Sequence, residues 1–566
     1  MKKLLLTTAV VMSVVYTQAQ TVVTLDQAGT LSEKISSDDK YTISDLKVAG
    51  PLNGTDIILL RDMAGQDQDN NTSDGVLESL DLSEASIVAG GEAYYVSYKG
   101  SKNVEYYTTD NEMSNAMFFN CSKLKNVKLP TSVTAIGDSC FYKCKALESL
   151  TIPSSVTEIR SYALSNTALT SFEFPEGMTI SNYVLSGCAS LSEVKIPSTV
   201  TEIPKGAFAN TALTHVELPA SLVTIGESAF SDSKLEKVIC PESLVAIKSY
   251  AFERCKQLTE FNFNATLQEI GNGAFSSCTG LTEVDVPNSV TTLGGAFSTC
   301  SSLVKAHIPD GLTSISESLF DRCTELKEVN IPEGVTSIGS YAFQNDENLP
   351  NLTFPEGLTE IGENTFNGCM AFTEIKLPAT VKSIGYGCFN DCESATTLEL
   401  SPALEEIPES SFAWCFALEE ADIPEGVKTI YAQAFASCNG MTKVTLPSTL
   451  TYISEAAFLT DFALSEVHCN DVTPPTCERG VFMGVATEDC TLYVPNGTKD
   501  AYASADTWQD FTNIVEMEPD GIDQAQTGDK LVEVARYNTS GQSVSSNYKG
   551  INIVRYANGK CVKIAK

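Results

Sequence analysis

The chain reads as a mostly-β repeat solenoid, and three observations predict that class. A unit of the form L-x-x-V-x-I-P-x-x-[VL]-x-x-I-x-x-x-A-F-x-x-C-x recurs from about Leu124 to Asp461 in steps of 22 or 23 residues, and a strict period in this range marks a stacked array. Apolar residues alternate ahead of the proline, as at Val329 and Ile331 in LKEVNIPEGVTSIGSYAFQNDEN, which is the period of a short strand with one buried face. One unit also offers roughly six apolar side chains and no second layer to cover them, so each unit is stable only when stacked on its neighbours.

The elements of the unit follow in order. The strand ends at the proline, which cannot donate a ladder hydrogen bond and turns the chain. Pro130, Pro153, Pro175, Pro287, Pro332 and Pro447 are examples; Asn264 stands in this place once, and Ser401-Pro402 slips by one. Turn-forming pairs come next, such as Glu333-Gly334 and Asn288-Ser289, and then an inward Val or Leu. The A-F-x-x-C piece is too short for a stable free helix and reads as a helical or 3-10 turn. About fifteen copies are present, enough for a parallel sheet on the order of 70 Å long at strand spacing. Strands on one side and bulkier turns on the other predict a curved stack with the sheet on its concave face.

Around this array the chain divides into further segments. Residues 1–19 carry Lys2 and Lys3, an apolar run from Leu4 to Tyr16 and Ala19 at the end, the pattern of a signal peptide. No cysteine follows at a position suited to lipidation, and no other apolar stretch approaches the length of a membrane span. Residues 20–115 echo the repeat at 43–60 and 77–88 and read as an N-terminal cap over the first exposed edge. Asp67 to Gly75 is rich in oxygen ligands but lacks the terminal bidentate Glu of a calcium loop, so it reads as a polar insertion. The repeats fill 116–464 and a C-terminal cap 465–518, where Trp508 with Tyr493, Tyr502 and Phe511 is expected to plug the open end. A polar linker spans 519–530. Residues 531–566 read as a small β tail, with turns expected at Gly541, Gly550 and Gly559.

Charge and composition exclude several functions. With 37 Lys+Arg against 72 Asp+Glu the formal net charge is -35, which disfavours nucleic acid and anionic membrane as partners. Eleven of the eighteen cysteines, from Cys121 to Cys438, share one repeat position; they are expected as a column of buried thiols, since parallel Cβ vectors make poor disulfides. Cys469, Cys477 and Cys490, in the cap, are better placed for a bridge. No compact zinc cluster results. The histidines His215, His307 and His468 are expected on the solvent side, too far apart to share a metal or a triad. Carboxylate pairs such as Glu405-Glu406 and Glu419-Glu420 are abundant, but the rungs show no insertion that would build a water-excluding pocket. No catalytic residue, cofactor or metal is therefore expected.

The unit resembles the leucine-rich repeat of the BspA-like (Treponema pallidum-type) class, with its P-x-x-[LV]-x-x-I-G-x-x-A-F-x-x-C-x-x-L signature. PTSVTAIGDSCFYKCKAL (130–147) and PEGLTEIGENTFNGCMAF (355–372) carry it most fully. Departures are local: Leu164 and Leu185 replace the phenylalanine, and Thr167 and Asn210 are read as replacing the cysteine. TLYVPNGTKDAYASADTWQDF (491–511) resembles the closing cap of the same family, and the last residues resemble the sorting or anchoring tails of exported Bacteroidetes proteins. The resemblance implies an exported protein, surface-held or released, that attaches to host matrix proteins or other bacteria. Two columns flanking the buried strand residue would form its binding face: Glu193, His215, Glu260, Glu283, Lys305, Glu328, Asn351, Glu374 and Glu420 in one, Glu217, Asp285, His307, Asn330 and Lys376 in the other. These columns lean acidic and lack aromatics, which suits a protein partner better than a glycan. The competing class is an enzyme or carbohydrate-handling accessory scaffolded on the solenoid.

Overall fold

The computed structural model describes residues 20–99, 102–517, 533–538, 542, 551–556 and 561–565; the expected signal peptide and the 519–530 linker lie outside them. The described chain forms a parallel β solenoid of about 21 turns. Fifteen are the regular copies; three rungs of the N-terminal cap and three of the C-terminal cap join the same stack, so the count from the repeat signature alone falls short.

The regular rungs are hydrogen-bonded to their neighbours along up to three columns. The strand column pairs in register, as Glu283 with Lys305, Val284 with Ala306 and Asp285 with His307. A two-residue ladder follows the proline turn, as Glu269–Ile270 against Thr292–Leu293. The proline carbonyl closes the turn between them: Leu244 N–H donates to Pro241 O at 3.0 Å and Val335 N–H to Pro332 O at 3.0 Å.

The third column is the A-F-x-x-C segment, and here the expected helical or 3-10 turn is corrected. Tyr250 and Arg254 sit at φ 59° and 57°, a left-handed conformation that costs roughly 1–2 kcal/mol per residue. The reversal alternates the amides. Glu253 and Cys255 donate within the rung, to Tyr250 O and Phe252 O at 3.1 Å each, whereas Tyr250, Phe252 and Arg254 donate to the next rung at 3.0, 2.8 and 2.8 Å. A helix would spend every amide inside one rung and leave the stack unjoined here. Among the described residues the helices lie only in the caps.

Inside the stack, equivalent side chains touch. Phenylalanines from Phe208 to Phe482 form a continuous column with ring centroids 5.3–5.8 Å apart. The column is broken where Leu164 and Leu185 replace Phe; Phe174, from the strand side, meets Phe208 at 6.3 Å and fills the gap. The repeat cysteines are buried free thiols, and burial pushes Cys300 and Cys415 up to about 12. The expectation for Asn210 is corrected: it takes a left-handed turn position at φ 57°, and buried Thr211 fills the cysteine place. Thr167 and Thr211 return their hydroxyls to Leu164 O and Phe208 O at 3.0 and 2.9 Å. These loops, and the one at Ser233, run one residue shorter to the next Leu than the cysteine loops do.

The caps are built differently from the repeats. Strands Thr21–Thr24, Asp45–Leu52 and Ser79–Ile87 start the sheet in parallel. The helix Gly54–Met63 opens with a capping box from Asn53 and Asp56, and a hairpin, Gly90–Lys99 with Lys102–Thr108, packs on it. At the far end Trp508 and Phe511 are buried against Phe482 and Tyr502 against Trp508, with Trp508 Nε1 donating to Pro475 O at 2.9 Å. Tyr493 does not join that plug: it pairs along the sheet and stacks on His468 at 4.3 Å. Cys469, Cys477 and Cys490 are free thiols rather than a bridge, and Tyr502 Oη donates to Cys469 Sγ at 3.1 Å. The tail forms three antiparallel strands, Glu533–Asn538, Ile551–Tyr556 and Cys561–Ala565.

Candidate binding face

The strand column determines what the sheet face presents. Residues on either side of each buried strand centre point outward, so Glu193, His215, Glu217, Glu260, Glu283, Asp285, Lys305, Glu328, Asn351, Lys376 and Glu420 are exposed, while His307, Asn330 and Glu374 are half-buried. The face is a row of neighbours rather than a converging site.

Its lysines are already matched. Lys237 pairs with Glu260 at 2.7 Å, Lys305 with Glu328 at 2.9 Å, Lys376 with Glu374 at 2.8 Å and Lys443 with Glu420 at 3.4 Å. The Lys237 ammonium hydrogen-bonded to Glu260 holds that carboxyl below its usual range. Such exposed pairs contribute little stability, but they cancel the positive charge of the face. Among the described residues Glu193, Glu217 and Glu283 have no cation within ion-pair distance, so the uncompensated charge of the face is acidic.

The structure reassigns two of the expected contact residues. Asn330 Oδ1 accepts from Ile308 N–H at 2.8 Å and its Nδ2 donates to Ile308 O at 2.9 Å. Asn351 Oδ1 accepts from Thr373 and Glu374 N–H at 2.8 and 3.2 Å. Both carboxamides stand in for ladder bonds where the strand column lapses between Val329 and Glu374. Sequence position alone could not separate them from a solvated column. Asn330→Ala should lower stability by about 1–2 kcal/mol, the cost of leaving Ile308 unpaired, as read by the urea midpoint; a change below a few tenths of a kcal/mol would show that the carboxamide is idle.

The histidines are dispersed. His215 is exposed, His307 Nδ1 lies 3.2 Å from Asp285 Oδ1, and His468 is held by Glu466 at 2.9 Å besides its stack on Tyr493. The last is thus a cap contact and not a freely solvated side chain. In the Asp67 loop the Asp67 carboxylate accepts from Asn71 N–H at 2.7 Å and from Asn71 Nδ2 at 3.0 Å, closing the loop on itself. No group of three or more His, Cys, Asp or Glu among the described residues is arranged to hold a metal.

The sheet face also has relief. Over the rungs carrying Glu148, Glu173, Glu193 and Glu217 it sinks into a depression of about 950 Å³ floored by Leu150, Phe172, Val194 and Val216. On the turn side, Trp414 and Phe462 are 53 % and 65 % exposed.

Six overlapping stretches of the chain, 76–189, 111–236, 178–295, 223–350, 293–381 and 359–476, match the family described as the BspA type leucine-rich repeat region. No curated protein matches the chain. Among solved structures, the chain is similar to a leucine-rich repeat protein from Bacteroides ovatus, 20% identical over 75% of this chain and 90% of that one, with a TM-score of 0.47. It is also similar to a leucine-rich cell surface protein from Faecalibacterium prausnitzii, at 23% identity over 66% and 86% of the two chains and a TM-score of 0.23. The pneumococcal vaccine antigen PcpA is 15% identical over 80% and 88%, with a TM-score of 0.22.

Proposed function

The chain belongs to the BspA-type leucine-rich repeat family, and from that premise we propose that it is an exported, non-catalytic binding protein that engages macromolecular partners through its sheet face. The observation that carries this reading is a long polar face of near-uniform rungs whose lysines are neutralised and whose remaining charge is acidic. Such a face recognises by extent and charge rather than by enclosing a substrate. The partner class is a protein of a host matrix or of another bacterial surface. The lysine-bearing leader at 1–19 supports export, and the tail of three strands is consistent with a sorting or anchoring element. No helix among the described residues is long and apolar enough to cross a membrane.

The test is binding of the full exported chain to a panel of matrix proteins and glycans at low and high salt. Saturable protein binding that weakens with salt, and is lost when Glu283, Glu328 and Glu374 are changed together to Lys, is the expected result, because exposed charge contacts are screened. Binding indifferent to that triple change would remove the sheet face from the reading, and no binding to any member would remove the adhesin role.

A second reading, glycan handling, is favoured by one observation. Trp414 and Phe462 stand two rungs apart on the turn side, about 10 Å at strand spacing, and exposed aromatic faces suit sugar rings. Glycan capture lost in Trp414→Ala but kept in the triple Lys variant would place that activity there.

A further inference from the structure

The depression in the sheet face is distinguished by its shape, and it lies where the strand ladder opens, as the ladder also does between Val329 and Glu374. The strand fragment Ser171–Glu173 pairs with Glu193–Lys195 but not with Ser149–Thr151 before it. No backbone hydrogen bond joins His215 to Leu218 with either neighbouring rung. Each of these breaks falls at a strand entered through one of the shortened loops, after Thr167, Thr211 or Ser233.

The side chains change with it. Many strand centres are sealed, as Val284 at 5 % and Val444 at 0 % exposure, while Phe261, Val329 and Leu352 are half-buried singly or in a pair. In the depression Leu150, Val194 and Val216 are half-exposed beside Phe172 and Ile196, so apolar surface faces outward. Around it stand Glu148, Glu173, Glu193 and Glu217 against one lysine, Lys195, which is spent on Glu173. Glu193 and Glu217 are uncompensated.

The geometry points to this depression as the seat of an extended peptide segment in which lysine or arginine alternates with apolar side chains. The inference rests on the reading of the sheet face as the binding surface and assigns it a locus and a ligand class. The apolar side chains of such a segment cover the floor of Leu150, Val194 and Val216, and the long stems of its lysine or arginine side chains bend back along the rim to Glu193 and Glu217. Burial of the apolar side chains then gives affinity, and the rim carboxylates select a basic partner. Acidic peptides and phosphate-bearing ligands meet the wrong charge. A sugar finds no open aromatic face, since Phe172 is 8 % exposed.

The experiment titrates the full exported chain into labelled synthetic peptides of about ten residues, Lys-Val, Lys-Ser and Glu-Val repeats, and follows fluorescence anisotropy at low salt. The Lys-Val peptide should bind one to one, with Lys-Ser and Glu-Val at least about tenfold weaker. Changing Glu193→Gln and Glu217→Gln together should weaken Lys-Val binding about tenfold, about 1.4 kcal/mol, while Glu333→Gln with Glu356→Gln, exposed carboxylates of the proline turns outside the two face columns, leaves it unchanged. Both altered residues are exposed, and an unchanged melting temperature certifies the fold. Equal losses in the two variants, or equal affinity for Lys-Ser and Lys-Val, overturn the proposal by showing charge attraction without a seat. If no peptide binds while a macromolecular partner is still captured by the face, the depression is rejected and the broader reading stands. Peptide binding lost in the Glu193/Glu217 variant, with no partner in the panel, upholds the seat and rejects the matrix-protein reading.

Discussion

Replacing Arg61 by alanine should cost on the order of 4 kcal/mol and loosen the first rungs of the stack. In the turn column each rung's amides donate to carbonyls of the following rung, as Phe118 N–H to Cys140 O at 2.8 Å and Asn120 N–H to Tyr142 O at 2.7 Å. The carbonyls of the first turn have no preceding rung to serve them. Arg61, fully buried on the helix Gly54–Met63, donates Nη1 to Met117 O at 3.1 Å, Ala116 O at 3.3 Å and Phe119 O at 3.4 Å, and Tyr94 Oη serves Asn115 O. The guanidinium lies 4.9 Å from the Tyr95 ring centroid. It is a side-chain cap for a ladder edge, and a planar fork with several fixed donors does this better than a point-charge ammonium. Arg61→Met restores bulk without donors. Hydrogen exchange at residues 115–145 should rise in both variants, because neighbouring rungs support one another only locally. Full recovery in the Met variant would mean that Arg61 packs but does not cap.

The second expectation concerns pH. Asp346 and Asp461 occupy the column that cysteine fills in other rungs, and both are fully buried. Their Oδ1 atoms accept from Cys323 and Cys438 N–H at 2.8 Å each, while their Oδ2 atoms have no partner. In neighbouring rungs the thiol is a donor: Cys323 Sγ reaches Phe297 O and Cys438 Sγ reaches Phe412 O at 3.2 Å. A protonated Oδ2 supplies the same donor. Burial, opposed only by the backbone amide, pushes Asp461 from 3.8 up to about 8, and Asp346 well above the carboxylate range with Asp321 adding to the rise. The folded value is above the unfolded one, so the unfolded chain releases its proton first. The stability contributed is complete below about pH 3.8, declines as pH rises, and is gone above about 8. For Asp461 the loss at pH 7 is on the order of 4 kcal/mol. Asp461→Asn keeps an acceptor and a donor without the charge and should raise the urea midpoint at pH 8 far more than at pH 4. Relief of repulsion among the many surface carboxylates acts in the same direction with pH, and the difference between variant and parent removes it. An Asn variant no more stable than the parent at pH 8 would falsify the neutral-carboxyl assignment.

Much of the architecture is legible from residue spacing. The alternation at Val329 and Ile331, the proline stop and the recurring Phe and Cys dictate strand, turn and stacked core, because each is a local requirement repeated in phase with few substitutions. The turn conformation is not legible, since Tyr250 and Arg254 carry no sign of positive φ; that conformation is worth its strain only when a second rung accepts the amides. Asn210 stands at the cysteine place when counted back from Leu213 and Thr211 when counted on from Phe208; the two counts differ because the loop is one residue short, and the rung's hydrogen bonds decide for Thr211. On the face, the outward columns follow from period two, but the occupation of Asn330 and Asn351 by backbone partners does not.

By itself, then, the sequence determined that this is a stacked β array with a buried phenylalanine and cysteine core, an acidic exterior and a strand face open to solvent. Those properties depend on which side chains recur, and recurrence is written in the chain. The tertiary structure decided where the stack begins and ends, with Arg61 and Trp508 closing its two edges. It also decided where the ladder opens over Leu150, Val194 and Val216. Caps and gaps are made by residues more than a rung apart satisfying, or failing to satisfy, one another's backbone groups, and no local spacing records that.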